Sequence, residues 1–250
     1  MPDAVVDGGI ECARAGNLPP LDAPGAVTLL LAGTEALDAA GLEAFERLLA
    51  PEERQRWRGF ASSDAALQFL VGRGVLRTSL SAYAEVAPDR WRFAFGAHGK
   101  PRVAAPRVGR PLRFNLSHTR GLVALAICDG FDVGIDVEDT SRPLEVAELA
   151  PLTLSPREWA AIERLAPAER SLRFYELWTL KEAYVKALGA GLSLALPEAA
   201  FEPHGGSFRL APALEGAAAW TVWTTRPTDR HTLAVAAQVA SLAVTIVRLG

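Results

Sequence analysis

With 250 residues, half of them hydrophobic and 22% charged, the chain has the composition of a folded globular protein rather than a disordered segment. A formal net charge of −3 excludes the basic coat of a general nucleic-acid binder and the polybasic segment of a membrane anchor. No apolar run approaches the ~18 residues that cross a bilayer. The opening Met1-Pro2-Asp3-Ala4 lacks a secretory leader, so a cytoplasmic protein with reduced Cys12 and Cys128 is expected.

Residues 1–25, rich in Pro, Gly, Ala and Asp, read as a loose lead-in. Val27 to Ala32 is a short strand, and Leu37, Leu42, Phe45 and Leu48-Leu49 follow at helical spacing. Pro51 restarts a helix with Glu52 and Glu53 in its first turn. A longer helix is expected from an N-cap at Asp64 through Leu67, Leu70, Val71, Val75 and Leu80. Its Gly72 and Gly74 weaken it and predict a close approach by another segment or a ligand.

Trp91 to Phe95 alternates as a strand, 96–101 is a loop, and Leu112 to Leu116 is the next strand. Leu122–Cys128 and Phe131–Val137 flank Asp129-Gly130, which predicts a β-hairpin. Such a hairpin would bring Ser117-His118 to the same end of a sheet as residues 136–138. Ser155-Pro156-Arg157-Glu158 fits a capping box with proline at the first helical position. A long helix is expected from about Ala168 to Leu188, burying Leu177, Leu180, Tyr184 and Leu188 and ending at Gly189. Strands return at Ala218–Thr224, Thr232–Ala237 and Leu242–Val247.

Leu49-Ala50-Pro51-Glu52-Glu53 is similar to Leu154-Ser155-Pro156-Arg157-Glu158, and each opens helices that lead to strands. The expected fold is therefore α+β, in two pseudo-symmetric lobes, each a small mostly antiparallel sheet packed against helices. The lobes are expected at 26–130 and 131–250, with ligands at the seam between them and the metal and catalytic motifs in the second.

Two segments carry the chemistry. On a strand over 133–138, Val133, Ile135 and Val137 face one way and Gly134, Asp136 and Glu138 the other. Two carboxylates about 7 Å apart thus share a face with a glycine that leaves room for something bulky. In Trp178–Lys186, Trp178, Glu182 and Lys186 lie one turn apart on a helix. Three carboxylates suit Mg²⁺ and a lysine suits a phosphate. The only lysines are Lys100, Lys181 and Lys186, all in segments marked for other reasons. Either lysine is kept where a compact, pKa-tunable cation is needed, or the placement is chance.

On residues alone the bland alternatives stay open. Asp136 and Glu138 can be a solvated strand face, and Glu182 with Lys186 an ordinary helix ion pair worth ~0.3–0.5 kcal/mol. A metal-dependent phosphodiesterase or nuclease using the same carboxylates and lysine also competes.

Read together, Gly99-Lys100-Pro101, Phe114-Asn115-Leu116-Ser117-His118, Gly134-Ile135-Asp136-Val137-Glu138 and Trp178 through Lys186, continued by Gly189-Ala190-Gly191-Leu192, resemble the 4'-phosphopantetheinyl transferases of the surfactin-synthetase-activating type. The resemblance covers roughly residues 45 to 205. It implies transfer of phosphopantetheine from coenzyme A to a serine hydroxyl of an apo acyl, peptidyl or aryl carrier protein, dependent on Mg²⁺ (or Mn²⁺). Adenosine 3',5'-bisphosphate would be released by a cytoplasmic monomer.

By motif position, Asp136, Glu138 and Glu182 match the metal-binding carboxylates, and Glu182 the group that deprotonates the serine. Lys186 matches the lysine at the pyrophosphate. Arg56, Lys100, Pro101, Ser117 and His118 match contacts to the adenosine and its 3'-phosphate, with His118 counted among the catalytic residues beside Glu182 and Lys186. The chain departs from the pattern at Gln68 and Glu53, where many members carry a phosphate-binding cation. Arg54, Arg73 and Arg77 are the candidates to compensate.

Overall fold

The computed structural model describes residues 18–191, 194–205, 207–214 and 216–249. Cys12, Leu192 and most of the expected lead-in lie outside them. The described chain clusters into two units.

The first unit takes the described residues up to Phe95, then Pro101–Gly130 and the end of the chain from Ala243. Its sheet is built from β1 (Ala26–Gly33), β4 (Leu112–Thr119), β5 (Leu122–Asp129) and β11 (Ala243–Leu249), in the order β11-β1-β5-β4. Only β1–β11 is parallel. A small antiparallel ribbon pairs β2 (Arg92–Phe95) with β3 (Pro101–Ala105). Helices α1 (Ala39–Leu48), α2 (Pro51–Arg58) and α3 (Ser63–Tyr83) complete the unit. Its core joins Leu30, Val71, Val75, Leu76, Leu80, Trp91, Phe114, Leu125 and Ile127. The α3 N-cap is Ser62, whose hydroxyl accepts from Ala65 N, and not the expected Asp64.

Both α3 glycines are close-approach positions, as expected. A Cβ on Gly72 would meet Leu116 of β4 at 3.0 Å, and one on Gly74 would fall inside the Phe45 ring of α1.

The second unit holds Gly96–Lys100 and Phe131–Leu242. Its main sheet is antiparallel, in the order β6 (Val133–Asp139), β10 (His231–Ala237), β9 (Thr221–Thr228). Beside it stand α4 (Val146–Thr153), α5 (Pro156–Ile162), α6 (Pro167–Leu188) and the hairpin β7 (Phe201–His204) with β8 (Ser207–Leu210). The core centres on Phe174, Leu177, Leu180, Tyr184, Phe201 and Ala234. Sequence reading places a single boundary after residue 130. In the structure the last strand pairs with the first, and a short piece at 96–100 belongs with the later residues. No helix among the described residues is long and apolar enough to cross a membrane.

The hairpin expected at Asp129-Gly130 does not form. β5 turns into its partner at the other end, through Arg120-Gly121, with Thr119 opposite Leu122. Both edges of β5 are filled, by β1 and β4, so it has no hydrogen-bonding edge left for β6. β6 pairs instead with β10. Ser117-His118 and Asp136/Glu138 therefore sit in different sheets.

The resemblance between the two Pro-Glu segments extends to side chains. In α2, Glu53 Oε2 accepts from Ala50 N at 3.0 Å and receives Arg77 of α3 at 2.6 Å. Arg77 then donates to the Pro88 and Trp91 carbonyls. In α5, Glu158 Oε2 accepts from Ser155 N at 2.7 Å and meets Lys181 of α6 at 2.9 Å. Lys181 then donates to the Leu196 and Ala199 carbonyls. Each unit thus uses a capping glutamate to hold a buried cation from its long helix, and the cation ties down the chain beyond that helix.

Candidate active site

α6 begins on Pro167 and ends on Gly189 at φ 66°, the left-handed cap that glycine adopts without strain. Its last three turns lie on the face of β6 that carries Gly134, Asp136 and Glu138. The reason is size. Gly134 pairs with Ala236 across the ladder and Asp136 with Ala234, giving a floor of small side chains for Ala183 and Ala187. A Cβ on Gly134 would stand 2.0 Å from the Ala183 carbonyl oxygen and 2.4 Å from Ala187 N. The space beside Gly134 is therefore filled by the helix backbone. Gly134→Ala is expected to cost at least the upper end of the ~1–3 kcal/mol typical of overpacking, read as a lower denaturant midpoint.

This close contact sets the chemistry. Lys186 Nζ donates to Asp136 Oδ1 at 2.5 Å, and Asp136 is only 4% exposed. Burial and the neighbouring Asp136 raise the Glu182 carboxyl above its usual range, with Lys186 opposing. Burial, Asp136 and Glu182 push Glu138 up to about 7, against Lys186 and Arg142. The three acids named from the sequence thus feel one another's charge within one unit. A half-buried cluster of oxygen donors that repel one another is chemistry a divalent cation fits. Among the described residues, no three His, Cys, Asp or Glu side chains are grouped as a ready-made chelate. The cation nearest Asp136 is the Lys186 ammonium.

The remaining predicted residues divide between the units. In the first, Ser117 is buried and His118 is exposed on β4, its Nδ1 2.8 Å from Gln68 Oε1 of α3. Arg56, in the last turn of α2, lies 5.4 Å over the Phe69 ring. In the second unit, Lys100 Nζ donates to the Ala187 carbonyl at 2.6 Å, at the C-terminal end of α6. Pro101 belongs to the first unit, where it opens β3 and is half-buried.

Of the candidates to compensate for Glu53 and Gln68, Arg77 is buried on Glu53 and two carbonyls, and Arg54 donates to the Glu46 carbonyl. Arg73 stacks over Phe69 and Phe93, 3.5 Å from Glu53, and burial lowers its pKa. Glu53 itself is held in the first unit's buried ion network.

Two neighbours of the site have surroundings that local spacing did not fix. Lys181 precedes Glu182 but is fully buried on Glu158 and serves the fold. Its burial lowers its pKa while Glu158 opposes that shift. Leu188, expected in the buried stripe, is 45% exposed, because the helix ends beside it at Gly189. Trp178 packs on Phe174, with ring centres 5.7 Å apart.

A family model described as the 4'-phosphopantetheinyl transferase superfamily matches residues 132–237. The chain is 33% identical over 219 residues to the 4'-phosphopantetheinyl transferase HetI of Nostoc sp., spanning 87% of this chain and 84% of that protein. It is 31% identical over 162 residues to the 4'-phosphopantetheinyl transferase Sfp of Bacillus subtilis, spanning 65% of this chain and 70% of that protein. The crystal structure of a holo-(acyl-carrier-protein) synthase from Bacillus anthracis in complex with CoA (3',5'-ADP) overlaps 45% of this chain and all of that one. The TM-score is 0.39 and the identity 17%.

Proposed function

This chain belongs to the 4'-phosphopantetheinyl transferase family, and we propose that it moves the phosphopantetheine arm of coenzyme A onto a serine hydroxyl of an apo acyl, peptidyl or aryl carrier protein. The observation that supports the site assignment is the packing of α6 on β6, which brings Asp136, Glu138, Glu182 and Lys186 into one electrostatic cluster.

In this reading Glu182 takes the serine proton. A carboxylate whose pKa is raised by burial and a neighbouring acid is a stronger base than a solvated one. The serine oxygen then attacks the phosphorus that bears pantetheine, and the bond to the adenosine-side phosphate breaks. Lys186, held by Asp136, hydrogen-bonds that departing phosphate oxygen and can pass it a proton. Arg56, Lys100, Pro101, Ser117 and His118 match the family's contacts to the adenosine and its 3'-phosphate and are taken in that role. Asp136, Glu138 and Glu182 would hold Mg²⁺ or Mn²⁺, which supplies charge neutralisation at the diphosphate. Adenosine 3',5'-bisphosphate is the other product. The proposal takes the enzyme as a cytoplasmic monomer, with neither nucleic acid nor membrane as partner.

The test is the intact mass of a purified apo carrier after incubation with the protein, coenzyme A and Mg²⁺. A gain of one phosphopantetheinyl group is expected on at least one carrier class. Acyl, peptidyl and aryl carriers that all stay unmodified would reject the proposal. Mg²⁺-dependent cleavage of nucleic acid without coenzyme A would favour the phosphodiesterase reading instead.

A further inference from the structure

We infer that Gln68 is a positioning residue for His118, and that through it Gln68 sets the preference for coenzyme A over dephospho-coenzyme A. The inference rests on the reading of His118 as a contact to the 3'-phosphate.

The geometry comes from how α3 lies on β4. Leu116 and His118 share a face of β4, and Gly72 and Gln68 stand one turn apart on α3. Two strand residues advance about 6.7 Å and four helical residues about 6 Å, so the two spacings nearly match. Gly72 sits against Leu116 with room for no more than a 3.0 Å Cβ contact, and one turn away Gln68 Oε1 meets His118 Nδ1 at 2.8 Å. The absent side chain at Gly72 is what lets α3 come close enough for this hydrogen bond.

The chemistry follows from the acceptor. A carboxamide oxygen at Nδ1 places the proton there, which fixes the ring orientation and the tautomer. The opposite nitrogen, Nε2, is then an acceptor when the ring is neutral and a donor when it is protonated. A lysine or arginine at position 68 would repel an imidazolium, and a glutamate would bring negative charge toward an anion. Glutamine does neither. It orients His118 and adds no charge of its own beside the 3'-phosphate that His118 is read to contact. Gln68 thus acts through His118 at a position where many members carry a phosphate-binding cation.

The experiment compares kcat and KM for coenzyme A and dephospho-coenzyme A in the wild type, Gln68→Met, His118→Ala and the double variant. Gln68→Met is expected to lower the ratio of kcat/KM for coenzyme A over dephospho-coenzyme A by about five- to tenfold, as for a typical hydrogen bond between neutral groups. The change should fall on KM for coenzyme A. In the His118→Ala background, Gln68→Met should lower that ratio no further.

Nitrogen-15 spectra of the neutral His118 ring should show Nδ1–H in the wild type, with that preference lost in Gln68→Met. A wild-type Nε2–H tautomer would overturn the inference. So would a Gln68→Met ratio equal to the wild type's when His118→Ala has collapsed it, or equal losses on both substrates. If His118→Ala itself leaves the ratio intact, the reading of His118 fails first, and the inference with it.

Discussion

Glu182→Gln is expected to lower carrier modification by about 10³-fold while the protein stays folded, within the 10²–10⁴ range of a general base. Glutamine keeps the shape of the side chain and removes both its basicity and its charge. The sign of the stability change sharpens the test. Glu182 is half-buried beside Asp136, and its carboxyl is raised by that burial and by the repulsion from Asp136, so a neutral amide relieves both. The thermal midpoint should therefore hold or rise as activity falls. Undiminished transfer would remove Glu182 from the chemistry. Lost transfer with a collapsed midpoint would make its role structural.

Lys181→Met is expected to lower stability by about 3–5 kcal/mol, the usual cost of removing one partner from a buried ion pair. Lys181 is 0% exposed and meets Glu158, the Leu196 carbonyl and the Ala199 carbonyl. Without it, Glu158 keeps a buried charge held, among the described residues, by the backbone N–H groups of Ser155 and Phe201. Adding Glu158→Met should recover part of the loss, because replacing both partners leaves no orphaned charge. The readout is the denaturant midpoint. A single variant within 1 kcal/mol of wild type would show that the pair is not what ties α6 to the chain beyond it.

Much of the site was legible because its signals are local. Alternation along 133–138 and the one-turn spacing of Glu182 and Lys186 require only the periods of strand and helix. Glycine read correctly as a close-approach marker at Gly72 and Gly74, while at Gly134 the approaching body is α6 itself. What sequence could not supply is non-local. The Asp129-Gly130 turn signal is sound in isolation, yet both edges of β5 belong to strands far along the chain. Lys181 stands in sequence only as one of three rare lysines, and its role appears when Glu158 and two carbonyls beyond the helix are brought to it. Glu53 and Gln68 stand out in sequence as missing cations. Their partners Arg77 and His118 come from distant segments.

The sharpest measurement is Mn²⁺ binding in the presence of coenzyme A, followed by the paramagnetic resonance signal of free Mn²⁺. One tightly held ion per chain is expected for the wild type. Asp136→Asn, Glu138→Gln and Glu182→Gln should each weaken it about tenfold or more, the range for lost metal-site groups. Equal Mn²⁺ binding by the wild type and by a variant lacking all three acids would contradict a shared ion at the β6–α6 cluster.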